Sequence, residues 1–181
     1  MMISSETALT VIYLRSGELY LSNQPAVVVT VLGSCVSITM FYRRLGLSAI
    51  SHGQYPHCRN RRSCGHNCND SAKYVECSFP IMLSWFKQRG VPLAELEVSV
   101  IGGADMIASG YTGRFTFSVG KQNIETAMRL LGREGLRVRS TDVEGNIGRK
   151  IHFNTQNGHI QLQYLQPTVV LARDVVSGKT R

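Results

Sequence analysis

The segment AVVVTVLGSCVSITMFYRRLGLSAISHG, which runs from Ala26 to Gly53, contains most of the information on the fold. Three apolar stretches in it are rich in β-branched residues, a composition typical of buried strands. A Gly-Ser turn separates the first stretch from the second, and the basic turn Arg-Arg-Leu-Gly separates the second from the third. We expect three consecutive strands, of which the last two pair as a hairpin.

Further strands are predicted on both sides of this segment. Two precede it, in residues 8–13 and 16–23. The stretches LEVSVIGGA, RVRSTDVEG, RKIHFNTQNG and HIQLQYL follow it and have the same apolar, β-branched character. The dipeptide Asn157-Gly158 predicts a hairpin turn between the last two, because Asn and Gly tolerate the positive φ of tight hairpin turns.

Two segments have helical periodicity. The first covers residues 70–90, with a cap at Asp70 or Ser71 and with Pro80 expected to kink the helix or shorten its first turn. The second covers residues 118–136. About eight strands with two helices, and strands at both ends, predict an α+β fold with mixed or antiparallel sheets. We expect a single domain over residues 1–181, with a Cys/His-rich insert at 57–77 and a C-terminal tail at 166–181.

Composition narrows the class of protein. The 181 residues are 43% hydrophobic and include five cysteines, an odd number that argues against a closed disulfide framework. No apolar run reaches the roughly 20 residues of a membrane helix, and the N-terminus lacks a secretory pattern, so we expect a cytoplasmic protein. The net charge of +8 serves either solubility or an acidic partner. Scattered basic residues without a recognition motif argue against nucleic acid and favour an acidic protein surface.

Cys35 is the residue with the clearest chemical potential. An isolated cysteine is more often a buried structural residue than a nucleophile. Here it follows Gly33 and Ser34 in a tight turn, where backbone N–H groups can converge as an oxyanion hole. His52 ends the neighbouring predicted strand, from which an imidazole can reach the sulfur, lower the pKa of the thiol and later protonate a leaving group.

Four motifs in order resemble the chemoreceptor glutamine deamidase (CheD) family of bacterial chemotaxis. The first is PAVVVTVLGSCVSITMFY with the following SAISHG, and the second is VIGGADM. The third is the helix VGKQNIETAMRLLGREGL, and the fourth is STDVEGNIGRKIHFNTQNGHIQL. Together they cover roughly residues 10–165, and their order strengthens a resemblance that one motif alone would not support.

The resemblance implies a fold, an activity and site residues. The fold is that of the catalytic domain of the cytotoxic necrotizing factor toxins, with layered β-sheets and helices packed outside. The activity is hydrolysis of glutamine side-chain amides on methyl-accepting chemoreceptors, without metal or cofactor. Cys35 is then the nucleophile, His52 the general acid and base, and Thr30 the residue that supports them, with Gly33 and Ser34 at the oxyanion turn.

The partners implied are receptor signalling helices, through which alone the protein meets the membrane, and a CheC-type phosphatase. An alternative function is a binding module that docks and regulates that phosphatase. Two positions depart from the family pattern, because Glu144 stands where the family has glycine and Ile107 where it often has an aromatic residue. We expect Glu144 to reshape its turn unless Gly145 alone supplies the positive φ. Ile107 would alter the choice of partner.

The loop at 57–77 supports a second chemical hypothesis. A structural zinc ion prefers four Cys or His ligands at short spacing, and Cys58, Cys64, His66 and Cys68 could supply them. A zinc-dependent nucleic-acid binder would be built on this set. Two observations oppose it: the loop has no second close Cys pair, and Cys77 falls in a predicted helix. The simpler interpretation is an exposed insert with basic residues that favour acidic receptor helices.

Overall fold

The structure is a computed structural model that describes residues 9–59, 70–105 and 118–165. Over these ranges the chain forms nine strands and two α-helices, close to the about eight strands and two helices that the sequence indicated. The strands are β1 (Thr10–Tyr13), β2 (Leu19–Ser22), β3 (Ala26–Leu32), β4 (Val36–Tyr42), β5 (Leu47–Ser51), β6 (Glu97–Gly102), β7 (Val138–Val143), β8 (Arg149–Asn154) and β9 (Ile160–Tyr164). The helices are α1 (Val75–Lys87) and α2 (Val119–Arg133).

The strands form two mixed sheets. One has four strands in the order β1-β3-β8-β9, and the other has five in the order β2-β5-β4-β6-β7. The pairs β1–β3 and β6–β7 are parallel, and the remaining pairs are antiparallel. The α+β class with mixed sheets is therefore confirmed, as are the β4–β5 hairpin and the β8–β9 hairpin that turns at Asn157-Gly158.

β4 lies in the middle of the molecule and is buried along its whole length. Ile38 and Met40 point to one side, where they pack in a cluster with residues of both helices. Phe41 points to the other side, into a second cluster between the two sheets. Because both faces are covered, the strand is a continuous apolar run rather than an alternating one, as expected for a strand buried on both faces. The layers are thus helices, five-stranded sheet and four-stranded sheet.

The first helix begins later than predicted. Residues Ser71–Lys73 form a 3₁₀ turn, and α1 starts only at Val75, so the cap predicted at Asp70 or Ser71 is wrong. The Asp70 carboxylate instead pairs with the Lys73 ammonium at 2.8 Å. Pro80 lies inside the helix, as its sixth residue. No helix within the described ranges has the length and apolar character needed to cross a membrane.

Candidate active site

Thr30, Cys35 and His52 come from three neighbouring parts of the chain. Thr30 lies on β3 and is buried, Cys35 is half-buried in the link between β3 and β4, and His52 is buried directly after β5. The Oγ1 atom of Thr30 and the Nδ1 atom of His52 are 2.6 Å apart. The contact joins the two sheets, because β3 belongs to the four-stranded sheet and β5 to the five-stranded one.

The strand register places Cys35 and His52 on the same face. Val36 and Gly53 exchange two backbone hydrogen bonds, of 2.9 and 2.8 Å, which extends the β4–β5 register beyond the strands. Cys35 and His52 are therefore diagonal neighbours, a relation in which Cα atoms are roughly 7–8 Å apart and long side chains can meet. Cys35 packs against the cluster between the sheets, to which Ile50, two residues before His52, also belongs.

The hydrogen bonds of Thr30 determine which nitrogen of His52 carries the proton. The Thr30 hydroxyl donates its single hydrogen to the carbonyl oxygen of Leu14 at 2.7 Å. In its contact with His52 the hydroxyl oxygen can then only accept, so Nδ1 must be protonated. Nε2 of the neutral ring is left with its lone pair, which is the tautomer a general base needs.

Burial is the main influence on the protonation of the Cys35 thiol and the His52 imidazole. Burial raises the pKa of the Cys35 thiol, although the Ser16 hydroxyl and the N–H of Cys35 itself act in the opposite direction. Burial lowers the pKa of His52, against the opposing effects of the Leu14 carbonyl and the Glu18 carboxylate. At neutral pH the pair is therefore a thiol and a neutral imidazole. This differs from the expectation that the imidazole lowers the pKa of the thiol.

The Cys35 turn (residues 33–35) is held by its carbonyl groups. All three carbonyl oxygens accept hydrogen bonds from other parts of the chain. The donors are the N–H of Ala104 to Gly33 (2.9 Å), Nδ2 of Asn123 to Ser34 (3.0 Å) and the N–H of Gly103 to Cys35 (2.7 Å). In a trans peptide the N–H points opposite to the C=O, and no cis peptide occurs in the described residues. The N–H groups of Ser34 and Cys35 therefore point away from this support.

Asn123 is a supporting residue that the sequence did not single out. Its side chain is fully buried, and Nδ2 donates to the carbonyl oxygens of both Ser34 and Gln54 at 3.0 Å. It thus ties the Cys35 turn to the segment that follows His52. The signal in the sequence was an amide next to Ile124 on the apolar face of α2, a position where a polar side chain needs a partner.

Close backbone packing explains the two glycines at the end of β6, Gly102 and Gly103. A Cβ on Gly102 would lie 2.3 Å from the carbonyl oxygen of Cys35. A Cβ on Gly103 would lie 2.9 Å from the carbonyl oxygen of Gly120 on α2 and nearer still to Ile124. Glycine at these positions lets β6 and α2 approach the Cys35 turn closely enough to form the hydrogen bonds that hold it.

The described residues include only one of the four ligands proposed for the zinc site. Cys58 is described and buried, whereas Cys64, His66 and Cys68 lie outside the described ranges. Within the part of the chain that the structure describes, no group of three or more His, Cys, Asp or Glu side chains could hold a metal ion. The Glu76 carboxylate contacts Nδ1 of His57 at 2.8 Å and accepts the N–H of Cys58 at 2.9 Å.

The two departures from the family pattern have different outcomes. Ile107 lies outside the described residues. Glu144 has a φ of 66° and Gly145 one of 73°. Glu144 therefore adopts the left-handed conformation that favours the glycine of the family, and Gly145 does not supply the positive φ alone.

Comparisons with known proteins agree with the motifs. A family model described as "CheD chemotactic sensory transduction" matches residues 59–164. A protein of Geobacter sulfurreducens named "Probable chemoreceptor glutamine deamidase CheD 2" is 37% identical, over 87% of this chain and 91% of its own length. Proteins named "Probable chemoreceptor glutamine deamidase CheD" from Oleidesulfovibrio alaskensis and Maridesulfovibrio salexigens are 34% and 33% identical, over 85% and 86% of this chain and 72% and 92% of their own lengths.

Proposed function

Because the chain belongs to the CheD family, we propose that it is a protein-glutamine deamidase that converts glutamine side chains of bacterial methyl-accepting chemoreceptors to glutamate. The names of its relatives support the reaction and the receptors. The observation that carries the mechanism is the hydrogen bond by which Thr30 fixes the tautomer of His52. Cys35 is the nucleophile and His52 the general base and acid.

The first half of the reaction forms a thioester. The Cys35 sulfur attacks the carboxamide carbon while Nε2 of His52 takes the thiol proton. The carbonyl oxygen becomes an anion that the N–H groups of Ser34 and Cys35 can stabilise, because these groups point away from the backbone support of the turn. The C–N bond then breaks, and His52 returns the proton to the nitrogen, which leaves as ammonia.

The second half releases glutamate. Water attacks the thioester carbon while Nε2 of His52 takes one of its protons. The C–S bond breaks, the proton returns to sulfur, and the Cys35 thiol is restored. The balance is one amide and one water converted to one carboxylic acid and one ammonia. No metal or cofactor takes part in these steps.

The neutral state of the pair matters for selectivity. A thiolate that exists before the substrate binds reacts with oxidants and alkylating agents. A thiol that loses its proton only as it attacks is protected until an amide is held in place. The site therefore needs a well-oriented base more than a pre-formed anion, and the contact between Thr30 and His52 supplies that orientation.

The proposed substrate suits a small, partly open site. A glutamine amide lies at the end of a flexible side chain on a receptor helix, so it can reach a half-buried sulfur without unfolding of the helix. The net charge of +8 favours approach to an acidic helix surface. Each turnover adds one negative charge to that surface, and charges beside a coiled-coil seam influence helix pairing. The proposed place of action is the cytoplasm, where the receptor signalling helices lie.

The decisive experiment is mass spectrometry of a receptor signalling fragment incubated with the protein. We expect wild type to produce the mass gain of an amide-to-acid conversion, and Cys35→Ala to lower the rate by a factor on the order of 10⁴ or more. Cys58→Ala is the matched control, because it removes another free cysteine outside the site. The proposal fails if wild type leaves every glutamine unchanged, or if Cys35→Ala and wild type convert equally.

A second candidate function is docking of a CheC-type phosphatase. The net charge of +8 supports an acidic protein partner of either kind. Titration calorimetry with such a phosphatase, read beside the deamidation assay, separates the two candidates, since a docking module would bind the phosphatase while wild type leaves every receptor glutamine unconverted. Binding together with conversion by wild type would mean that both functions coexist.

A further inference from the structure

The turn between β1 and β2, residues 14–18, contacts all three members of the proposed catalytic cluster, Thr30, Cys35 and His52. Three of its residues each reach a different member of the site. The contacts are the carbonyl oxygen of Leu14 with the hydroxyl of Thr30 (2.7 Å), Oγ of Ser16 with Sγ of Cys35 (3.7 Å), and the carbonyl oxygen of Glu18 with the N–H of His52 (2.9 Å). The sequence predicted only a turn before a short strand here.

The conformation of this turn is fixed by several independent contacts. The N–H of Gly17 donates to the carbonyl oxygen of His52 at 2.8 Å, and the N–H of Arg15 donates to the Glu18 carboxylate at 2.7 Å. Gly17 has a φ of 79°, and a Cβ there would lie 2.7 Å from Cγ of Lys73. Ser16 therefore lies between Arg15 and Gly17, whose backbone positions are fixed by these contacts. Its side chain is directed at the Cys35 sulfur.

The contact between Ser16 and Cys35 is long, but it lies within the range of a hydrogen bond to sulfur. A hydroxyl can donate to a thiolate, and hydrogen bonds to a charged acceptor are stronger than those to a neutral one. Such a bond therefore gains strength as the thiol loses its proton. Burial opposes the thiolate at this site, and the Ser16 hydroxyl is one of two groups that lower the pKa of Cys35 against it.

We infer that Ser16 is a positioning residue of the active site, whose hydroxyl donates a hydrogen bond to the Cys35 sulfur and stabilises the negative charge that develops as the thiol proton passes to His52. Ser16 does not touch the substrate and acts through the sulfur. The charged side chain of the same turn, Glu18, acts on His52 instead, whose pKa it raises against burial. The turn thus supports both members of the pair, each through a different residue.

This inference rests on the proposed role of Cys35, and its test is a measurement of thiol reactivity that needs no receptor. Alkylation by iodoacetamide is followed as a function of pH in the intact protein. Cleavage after Arg15 and Arg43 releases residues 16–43, a peptide in which Cys35 is the only cysteine. Peptide mass spectrometry therefore reports Cys35 alone, although the chain has five cysteines.

The prediction concerns the midpoint of the alkylation curve. Ser16→Ala should move this midpoint upward by about 0.5–1 pH unit, because it removes one hydrogen bond to the thiolate. Ser16→Thr keeps a hydroxyl and should restore a midpoint near that of wild type. Ser140→Ala is the matched control, because Ser140 is an exposed serine on the edge strand β7, where its hydroxyl contacts that of Ser99 at 2.8 Å.

The deamidation assay on the same variants separates this inference from the proposed function. An unchanged midpoint in Ser16→Ala overturns the inference, whether or not wild type deamidates receptors. A raised midpoint in Ser16→Ala, restored in Ser16→Thr, supports it even if no receptor glutamine is converted. An equal rise in Ser140→Ala would also overturn it, because the effect would then not depend on contact with the sulfur.

Discussion

Two of the polar clusters in the described residues differ in how completely their groups are paired. In the Arg149 network (Asp142, Arg149 and Tyr164), the guanidinium donates to the Asp142 carboxylate at 2.5 Å and to the carbonyl oxygens of Glu144 and Ile147. Tyr164 donates to the second carboxylate oxygen at 2.5 Å. In the proposed catalytic cluster (Thr30, Cys35 and His52), Nε2 of His52 keeps a lone pair and the sulfur remains half-exposed.

The difference agrees with a structural role for the Arg149 network and with the chemical role proposed for the other cluster. Burial tends to raise the pKa of Asp142, but hydrogen bonds from Tyr164 and Arg149 outweigh it and lower the pKa. The charge is thereby stabilised. At Cys35 and His52 burial prevails and keeps both groups neutral. The paired network keeps its charges fixed. A neutral thiol beside an imidazole with an available lone pair can instead exchange a proton with a substrate.

The largest expected effect on stability comes from breaking the paired network. Arg149→Met should lower the free energy of unfolding by about 2–4 kcal/mol, because it leaves the Asp142 carboxylate without its cation. The folded fraction should keep a kcat near that of wild type, since the guanidinium does not contact the site. Chemical denaturation and the deamidation assay measure the two quantities. Arg137→Met, at an exposed arginine, should change stability by less than about 0.5 kcal/mol.

Breaking the proposed catalytic cluster should lower activity and leave stability nearly unchanged. Thr30→Val keeps the shape of the side chain but removes the acceptor for Nδ1–H of His52. We expect kcat to fall about 10- to 100-fold, since a hydrogen bond to the imidazolium formed in the reaction contributes about 1.5–3 kcal/mol. Thr39→Val is the matched control, because Thr39 is also buried on the inter-sheet face of β4. A wild-type kcat in Thr30→Val would contradict the assigned tautomer.

As the pH falls, activity should be lost before the stability that the Arg149 network provides. The proposed mechanism needs the base form of His52, and burial lowers the pKa of His52 below its ordinary 6.5. Below that lowered pKa, kcat/KM should fall about tenfold per pH unit. The unfolded chain takes up this proton first, so some stability is lost between 6.5 and the lowered pKa.

The Asp142 contribution to stability persists to lower pH. Tyr164 and Arg149 hold the pKa of Asp142 below its ordinary 3.8 despite burial. Its contribution is therefore complete above 3.8 and is lost only as pH falls through the lower folded value. Circular dichroism should show a folded protein at pH values where deamidation has stopped. Activity that declines already above pH 6.5 on the acid side would contradict the lowered pKa of His52.

Much of the fold could be predicted from local sequence patterns, and the error in that prediction at the start of α1 has a local cause. The strands of residues 26–53 were predictable because β-branched runs and a turn leave few alternatives. The start of α1 was not, because Asp70 and Ser71 resemble a helix cap while the chain forms a 3₁₀ turn there. The order of the strands within each sheet depends on pairing between residues distant in sequence, such as that of β3 with β8, and no local pattern contains this information.

The candidate site was predictable where motif and chemistry coincide. Cys35 and His52 could be named because a cysteine after a Gly-Ser turn and a histidine at a strand end form a recognisable pair. The support by Asn123 and the contact of Ser16 with the sulfur were missed, since a polar residue in a helix or turn has many uses. The direction of the pKa shifts also needed the structure, because burial is a property of the folded chain.

The smallest expected effect tests the turn beside the Arg149 network. Glu144 is exposed and has a φ of 66°, a conformation that costs a non-glycine residue about 1 kcal/mol or more. Glu144→Gly relieves this cost, and the greater freedom of glycine in the unfolded chain offsets part of the gain. The backbone carbonyl that accepts from Arg149 is retained. We therefore expect the free energy of unfolding to rise by about 0.5 kcal/mol.

Glu125→Gly provides a control of opposite sign for Glu144→Gly. Glu125 is an exposed residue in the middle of α2, where glycine lowers stability by about 0.5–1 kcal/mol because it costs helix propensity. Denaturant titration of the two variants compares the same substitution in a left-handed turn and in a helix. If both variants lose stability equally, the φ of Glu144 stores no strain. The paired network would then include a turn that is relaxed with glutamate in place of the glycine of the family.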